Sequence, residues 1–190
     1  MLTRLTWMLK SWQANGCNLW RQEEGEAVFA IGEKTVELDP RCIDVIEARF
    51  QQSAVFQLSM QRWELGEYTR IPNKDTPGPT PLAFYLRKLV DSVTMTLWPV
   101  PTQETTILYT YARVIEDVTD LNQALDVPQQ WMETVWMNLA ARCATMFGAT
   151  RLDPGAVQIV NTRAAMLEQA LMDQDRPASV FLGNVYQSNF

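Results

Sequence analysis

Residues 82–114, LAFYLRKLVDSVTMTLWPVPTQETTILYTYARV, contain three short segments rich in β-branched and aromatic residues. Asp91-Ser92 separates the first two segments, and Pro99 and Pro101 precede the third. Segments of this composition between turn residues are typical of successive antiparallel strands. Similar segments precede them, namely AVFAI, KTVEL, CIDVIEARF and AVFQLS. The sequence therefore predicts an antiparallel β-sheet or sandwich over residues 17–115.

Helical periodicity flanks this β region on both sides. On the N-terminal side, spacings of three and four place on one helical face Leu2, Leu5, Leu9 and Trp12. Asn15-Gly16 follows as a helix stop. The chain is therefore expected to open with an amphipathic helix.

Residues 126–176 show the same periodicity twice, which predicts an antiparallel pair of helices joined by a short turn. The apolar positions of the first helix are Trp131, Val135, Leu139 and Cys143, with Trp136, Ala140 and Ala144 beside them and Gly148 as the stop. The second helix begins at Asp153-Pro154, and its apolar positions are Val157, Val160, Ala164, Leu167 and Leu171. These patterns predict an α+β fold. Residues 1–16 and 126–176 form a helical bundle, the β domain is inserted between them, and residues 177–190 form an extended C-terminal tail.

The segment RIPNKDTPGPTP, residues 70–81, contains four prolines and one glycine. Proline fixes its own φ and pushes the preceding residue toward extended conformations, so this segment is predicted to be a shaped, outward-facing loop. The preceding SMQRWELGEYTRI is either a short helix capped by Ser59 or an irregular crossover.

Composition limits the classes of function. The chain has 190 residues, 47% of them hydrophobic and 20% charged, and a formal charge of −6, as expected of a globular protein. Its Lys and Arg residues are scattered, which disfavours tight binding to duplex DNA. No apolar run reaches the length of a membrane span. The three cysteines, Cys17, Cys42 and Cys143, are far apart, and structural thiols of a reducing cytoplasm are expected.

Catalytic sites find little support. The absence of histidine excludes Ser-His-Asp and Cys-His nucleophile systems and histidine metal ligands. A general acid and base could come from Glu23, Glu24 and Glu26, but at a glycine-containing bend a solvated turn is favoured. Glu116, Asp117, Asp120 and Asp126 lack the order of a calcium loop, and no glycine-rich phosphate loop occurs. Neither an enzyme nor a cofactor is predicted.

The seven tryptophans have two interpretations. Trp12, Trp131 and Trp136 lie on the predicted apolar helix faces, and core packing is expected of them. Trp20 and Trp98 stand at segment ends, where core packing and partner contact are equally favoured. A β-sandwich could also use Trp20, Trp63 and Trp98 as a stacking platform, which keeps open a carbohydrate- or peptide-binding module.

Several motifs together resemble one protein family. They are MLKSWQANGCNLW, YTRIPNKDTPGPTPLAFYLRK, TLWPVP, ILYTYARVIED and VPQQWMETVWMNLAARCATMFG, in this order. The combination resembles the head-to-tail adaptor, or connector, proteins of short-tailed bacteriophages, and it covers Met1 to about Gly148. Relatives generally have an additional helix before the first motif, whereas this chain begins almost within it.

The resemblance implies a structural virion protein made in the host cytoplasm. Such a protein forms a dodecameric ring beneath the portal, extends the DNA channel used in ejection and presents a docking surface for tail nozzle or tail-fibre proteins. In the family, the helices face the portal and the β part points toward the tail. DNA passes without specific binding, no membrane is involved, and rings form only on the portal.

Two segments are candidates for partner binding. In the proline-rich loop these are Asn73, Lys74, Pro77, Gly78 and Pro79, since prolines lower the entropic cost of ordering a projecting segment against a neighbour or the tail. Serines at residues 77–79 are expected to leave stability unchanged because the loop is exposed. In the uncharged tail, Phe181, Tyr186 and Phe190 are expected to anchor in apolar grooves of the portal or the adjoining subunit.

Overall fold

The computed structural model of the protein describes residues 2–15, 21–53, 55–120, 122–147 and 153–174. It has mixed α+β content and divides into two compact units. One unit combines residues 1–19 with residues 117–190, and the other comprises residues 20–116. No helix in the described ranges has the length and apolarity needed to span a membrane.

The elements of the described chain follow the predicted order. The α-helices are α1 Leu2–Ala14, α2 Leu65–Arg70, α3 Met132–Phe147 and α4 Pro154–Gln174. The longer strands are β1 Gln22–Phe29, β3 Cys42–Gln51, β7 Ala83–Lys88, β8 Val93–Trp98 and β10 Thr105–Arg113. The shorter strands are β2 Thr35–Glu37, β4 Gln57–Ser59, β5 Gln61–Trp63, β6 Pro77–Gly78 and β9 Val100–Pro101.

The predicted N-terminal helix is confirmed as α1. Its buried side chains are Leu5, Met8, Leu9 and Trp12, at the spacing of one helical face. Trp12 packs edge-on against Trp131, which lies in a single 3-10 turn before α3, with ring centroids 5.4 Å apart. These two tryptophans therefore belong to the core, as predicted.

The prediction that Trp136 packs in the core is wrong. Its side chain is 76% exposed, because the face of α3 that turns inward carries Thr134, Val135 and Asn138 instead. Asn138 donates from Nδ2 to the carbonyl of Thr134 at 3.1 Å and to that of Ala164 on α4 at 3.3 Å. A buried polar side chain thus takes an inward position that apolar periodicity does not identify.

The start of α4 is confirmed at Asp153-Pro154. The Asp153 carboxylate accepts hydrogen bonds from the main-chain N–H groups of Gly155 and Ala156. These N–H groups have no partner within the helix, so the side chain caps the N-terminus. An ion pair of 2.7 Å between Arg163 and Glu133 also joins α4 to α3.

Two four-stranded sheets and the two-stranded sheet of β6 and β9 form the described part of the β unit. The strand orders of the four-stranded sheets are β1-β10-β3-β4 and β2-β8-β7-β5. Both four-stranded sheets contribute to one hydrophobic core, whose largest members include Phe29, Phe50, Phe84, Met95, Ile107 and Tyr111. The prediction of antiparallel strands holds except at β5 with β7 and β6 with β9, which are parallel. The β5 to β7 connection passes through α2 and the proline-rich segment, and parallel neighbours need such a crossover.

Two local predictions about this unit are wrong. Glu23, Glu24 and Glu26 lie inside β1 and not at a bend. Glycine occurs at position 25 because the ring of the cross-strand partner Tyr109 covers it, and an added Cβ would lie 2.6 Å from Tyr109 Cζ. Ser59 ends β4 instead of capping a helix.

The short helix foreseen between Ser59 and Ile71 is confirmed as α2, which starts at Leu65. The Glu67 carboxylate accepts the main-chain N–H of Glu64 at 2.9 Å. Because this bond satisfies a donor just before the first turn, the helix start is determined by a glutamate three residues downstream.

Candidate partner-binding surfaces

The main-chain and side-chain oxygens of Asn73 organise the proline-rich segment. Its carbonyl accepts hydrogen bonds from Trp98 Nε1 at 3.3 Å and from Thr76 Oγ1 at 3.1 Å. Its side-chain oxygen accepts the main-chain N–H of Asp75 at 3.1 Å, a local turn that asparagine favours. These bonds fold the segment back on itself and tie it to the end of β8.

Gly78 fixes the second half of the segment. With Pro77 it forms β6, which runs parallel to β9, and the main-chain N–H of Val100 donates to Thr76 O at 2.9 Å. Gly78 is buried, and a Cβ added to it would lie 2.8 Å from Pro99 Cβ. Glycine is therefore required here for a close approach to a neighbouring proline ring.

Aromatic side chains cover the same sheet beside the proline-rich segment. Tyr68 of α2 stacks on Tyr85 of β7, with centroids 4.8 Å apart and ring planes 7° from parallel. Trp63 contacts Trp98 with centroids 5.2 Å apart. All four rings are half-buried, so they hold α2 and the proline-rich segment to the sheet while keeping part of their surface accessible.

The five predicted loop residues divide into two groups. Asn73, Pro77 and Pro79 are exposed, whereas Lys74 is half-buried and Gly78 is buried. The Lys74 ammonium donates to the carbonyl of Ile71 at 3.3 Å and lies 5.6 Å from the centroid of the Tyr68 ring. The predicted loop is exposed over part of its length, and its first and second halves are each attached to the β unit. Of the five predicted residues, Asn73, Pro77 and Pro79 are accessible.

The structure describes some of the other predicted residues and not others. Phe181, Tyr186 and Phe190, together with Trp20, lie outside the described residues. Glu116, Asp117 and Asp120 are exposed, and Lys10 makes an ion pair of 2.9 Å with Asp117. Among the described residues, no group of three or more cysteine or acidic side chains is arranged to hold a metal ion.

A partly buried ionic cluster contains the candidate acid Glu23. Its carboxylate lies 2.8 Å from Arg113 Nε and 3.0 Å from an amino group of Arg41, and it accepts the Tyr111 hydroxyl at 3.2 Å. Burial, followed by the Asp39 carboxylate, raises the pKa of Tyr111 to about 12. Two guanidinium groups and a tyrosine surround Glu23. It therefore joins β1 to β10 and to Arg41, which lies just before β3, and its contacts are those of a structural carboxylate.

Exposed apolar residues occupy turns at opposite ends of the β unit, and sequence reasoning missed them. Where β10 begins, Ile31 is 72% exposed, and the β3–β4 turn presents Val55, 95% exposed, and Phe56, 54% exposed. The β7–β8 turn lies near the start of β3, where Lys88 pairs with Asp44, and its Val90 is 99% exposed. Apolar side chains in turns are unusual, since turns are mainly polar, and this is the signal that could have identified them.

Two concave surfaces lie among the residues of the helical unit that the structure describes. The first has a volume of about 330 Å³ and is formed by apolar side chains of α1, the segment before α3 and α3, including Leu5, Leu125, Val135, Trp136, Leu139 and Cys143. We call it the apolar groove. The second has a volume of about 420 Å³ and is lined by Arg4, Trp7, Ala141, Arg142 and Asn161. Trp7 and Trp136 are both more than two-thirds exposed, so the unit presents two indole rings to solvent.

Comparison with known proteins assigns this arrangement to a family. The family model described as SU10 adaptor protein matches residues 6–184 and so includes residues of both compact units. None of the curated proteins compared with the chain matches it. The match confirms the adaptor class expected from the motifs, while the short-tailed class of phage stays a prediction. The chain therefore belongs to the SU10 adaptor protein family.

Proposed function

We propose that this protein is the structural virion protein that joins the phage portal to the tail as a ring and extends the DNA channel. The observation that carries the proposal is the exposure of apolar residues at opposite ends of the β unit, with Ile31, Val55 and Phe56 at one end and Val90 at the other. Exposed apolar groups of this kind mark contact surfaces, and a connector has to contact more than one partner. Membership of an adaptor family supports the same role.

The ring is dodecameric in this proposal, and it assembles on the portal. The helical unit, a bundle of α1, α3 and α4, contacts the portal, and the β unit contacts nozzle or fibre proteins of the tail. Residues 177–190 act as an arm with Phe181, Tyr186 and Phe190 as anchors. The accessible residues Asn73, Pro77 and Pro79, supported by Lys74 and Gly78, contact the neighbouring subunit or the tail.

DNA passes through this ring without specific binding. The net charge of −6 and the scattered basic residues support this step, because proteins that hold duplex DNA neutralise many phosphates with clustered Lys and Arg. A channel wall that attracts phosphates would slow ejection, whereas an acidic wall repels them. The role proposed here is structural and non-enzymatic.

A glycan- or peptide-binding module is the alternative. The structure does bring Trp63 and Trp98 into contact, as a stacking platform requires. Both rings are only half-exposed, however, and the Trp98 indole N–H is already bonded to Asn73. A platform needs open ring faces, so the adaptor role is better supported. An enzyme built on Glu23 is disfavoured by the structural contacts of that carboxylate.

Reconstitution with the portal protein of the same phage tests the proposal. The isolated protein is expected to sediment as a folded monomer, and electron microscopy is expected to show one ring of adaptor density on each portal. Native mass spectrometry then counts the copies. Portals that stay bare at saturating protein contradict the proposal, and retention of the isolated protein by a glycan or peptide array would favour the module instead.

A further inference from the structure

We propose that the apolar groove of the helical unit receives residues 177–190 of a second copy of this chain. The groove is lined only by apolar side chains in the described part of the chain, and it lies beside the exposed indole of Trp136. Its volume of about 330 Å³ is that of a small ligand pocket, which suits one or two large side chains rather than a whole helix. An extended segment with aromatic anchors fits such a surface.

The chemistry of residues 177–190 matches this groove. The segment PASVFLGNVYQSNF contains no Asp, Glu, Lys or Arg, and its aromatic residues are Phe181, Tyr186 and Phe190. Burial of a charged side chain in an apolar groove is costly unless the charge is paired, so an uncharged segment is strongly favoured as the occupant. The uncharged segment and the apolar groove, which belong to the same sequence, are therefore chemically complementary.

One chain carries both partners of the contact, so two copies can supply the segment and the groove to each other. A contact between two different patches joins copies head to tail, and such contacts generate a closed ring when the rotation closes. The 14 residues span up to about 46 Å when extended, against a diameter of roughly 30 Å for a compact unit of the size of the helical unit. The segment can therefore reach the next copy. This inference rests on the proposed function, since the ring supplies the neighbouring copy.

Cys143 provides a direct reporter of occupancy, because its side chain lines the groove and its thiol is free. Cys42 is buried, and burial raises the pKa of its thiol to about 12, which suppresses its reaction with alkylating reagents at neutral pH. A Cys17→Ser background therefore leaves Cys143 as the reactive cysteine. The experiment measures the alkylation rate of Cys143 in the full chain while a synthetic peptide with the sequence of residues 177–190 is added.

The peptide is expected to slow alkylation saturably, about tenfold at ten times its Kd, because only empty grooves react. In the absence of peptide, Cys143 is expected to react at the full rate in the isolated monomer and more slowly when copies are assembled on the portal. Ala140→Asp places a carboxylate among the groove residues and should remove both effects. Ala165→Asp, an equally exposed helical site that does not line the groove, is the matched control and should behave as the parent.

Two results would overturn the inference. One is an alkylation rate that the peptide leaves unchanged in a folded protein. The other is protection that is complete at every protein concentration, because the segment would then occupy the groove of its own chain. Failure of the proposed function is a separate result. If the peptide protects Cys143 but portals stay bare, the groove assignment is retained and the portal ring is rejected. If rings form on portals but Cys143 stays fully reactive in them, the portal ring is retained and the groove assignment is rejected.

Discussion

The indole Nε1–H of Trp98 donates a hydrogen bond of 3.3 Å to the main-chain carbonyl of Asn73. This bond joins the last residue of β8 to a segment 25 residues earlier in the chain. It explains why a segment so rich in proline is attached to the β unit. A substitution of Trp98 that removes this bond is therefore expected to change the position of the accessible residues Asn73, Pro77 and Pro79.

Trp98→Phe is expected to lower the free energy of unfolding by about 1 kcal/mol, since it removes one hydrogen bond and keeps an aromatic ring beside Trp63. Urea unfolding followed by circular dichroism measures the change. Trp136→Phe is the matched control, and because that side chain is 76% exposed its effect should stay within about 0.5 kcal/mol. Equal effects of the two substitutions would show that the bond to Asn73 contributes nothing.

Gly78→Ala is expected to destabilise the protein by about 1–3 kcal/mol. The new methyl group would lie 2.8 Å from Pro99 Cβ, and a proline ring cannot rotate away from the overlap. Gly66→Ala in α2 meets no atom within 4 Å and should stabilise by about 0.5–1 kcal/mol, as alanine does in helices. Thermal unfolding of both variants measures these two changes in stability. A parent-like melting temperature for Gly78→Ala would show that the close approach to Pro99 does not hold the segment to the β unit.

The proline-rich segment shows where sequence reasoning stops. The prolines do restrict the local conformation, and none of the four lies in a helix or a central strand of the described chain. What the segment packs against depends on pairs distant in sequence, such as Asn73 with Trp98 and Gly78 with Pro99. Proline content does not specify such partners. The expectation that serines at residues 77–79 leave stability unchanged is accordingly replaced by the loss predicted for Gly78.

The same limit explains the errors outside this segment. Strands and helices were predictable because their apolar periodicity is local. Gly25 was taken as a bend, although it is a glycine only because Tyr109 lies over it from the adjacent strand. Trp136 was assigned to the core because it lies beside the apolar row of the predicted helix, whereas the inward position belongs to Asn138, which bonds to α4. Each error comes from a contact between elements.

Glu23→Gln is expected to lower the free energy of unfolding by about 1–2 kcal/mol, because it removes the charge that faces Arg113 and Arg41. The Arg113 side chain is only 12% exposed, so its guanidinium would lose a charged partner in a poorly hydrated site. Glu24→Gln on the same strand is the control. Its side chain is 81% exposed, and a change below about 0.5 kcal/mol is expected by chemical denaturation. Similar losses for both would assign the effect to strand propensity.

Stability is expected to fall at high pH through Cys42 and Tyr111. Burial raises the pKa of each group from its ordinary value, 9.0 and 10.0 respectively, to about 12. Because the folded state favours the neutral forms, their contribution is fully present below pH 9 and is lost as the pH rises toward 12. Cys42→Val and Tyr111→Phe should each flatten the decline, as followed by denaturant midpoints between pH 8 and 12. A slope unchanged in both variants would contradict this origin.

Truncation after Arg176 tests the proposed arm. If Phe181, Tyr186 and Phe190 bind a partner, then the isolated truncated protein should keep the melting temperature of the parent, because it loses no contact of its own. It should also fail to decorate portals, since the arm supplies the apolar anchors of the ring. Phe181→Ser in the full chain is the milder variant and should reduce occupancy on the portal without changing the melting temperature.

A truncated monomer that melts at a lower temperature would show instead that the segment packs on its own chain. Full decoration of portals by the truncated protein would remove both the arm and its three anchor residues from the assembly.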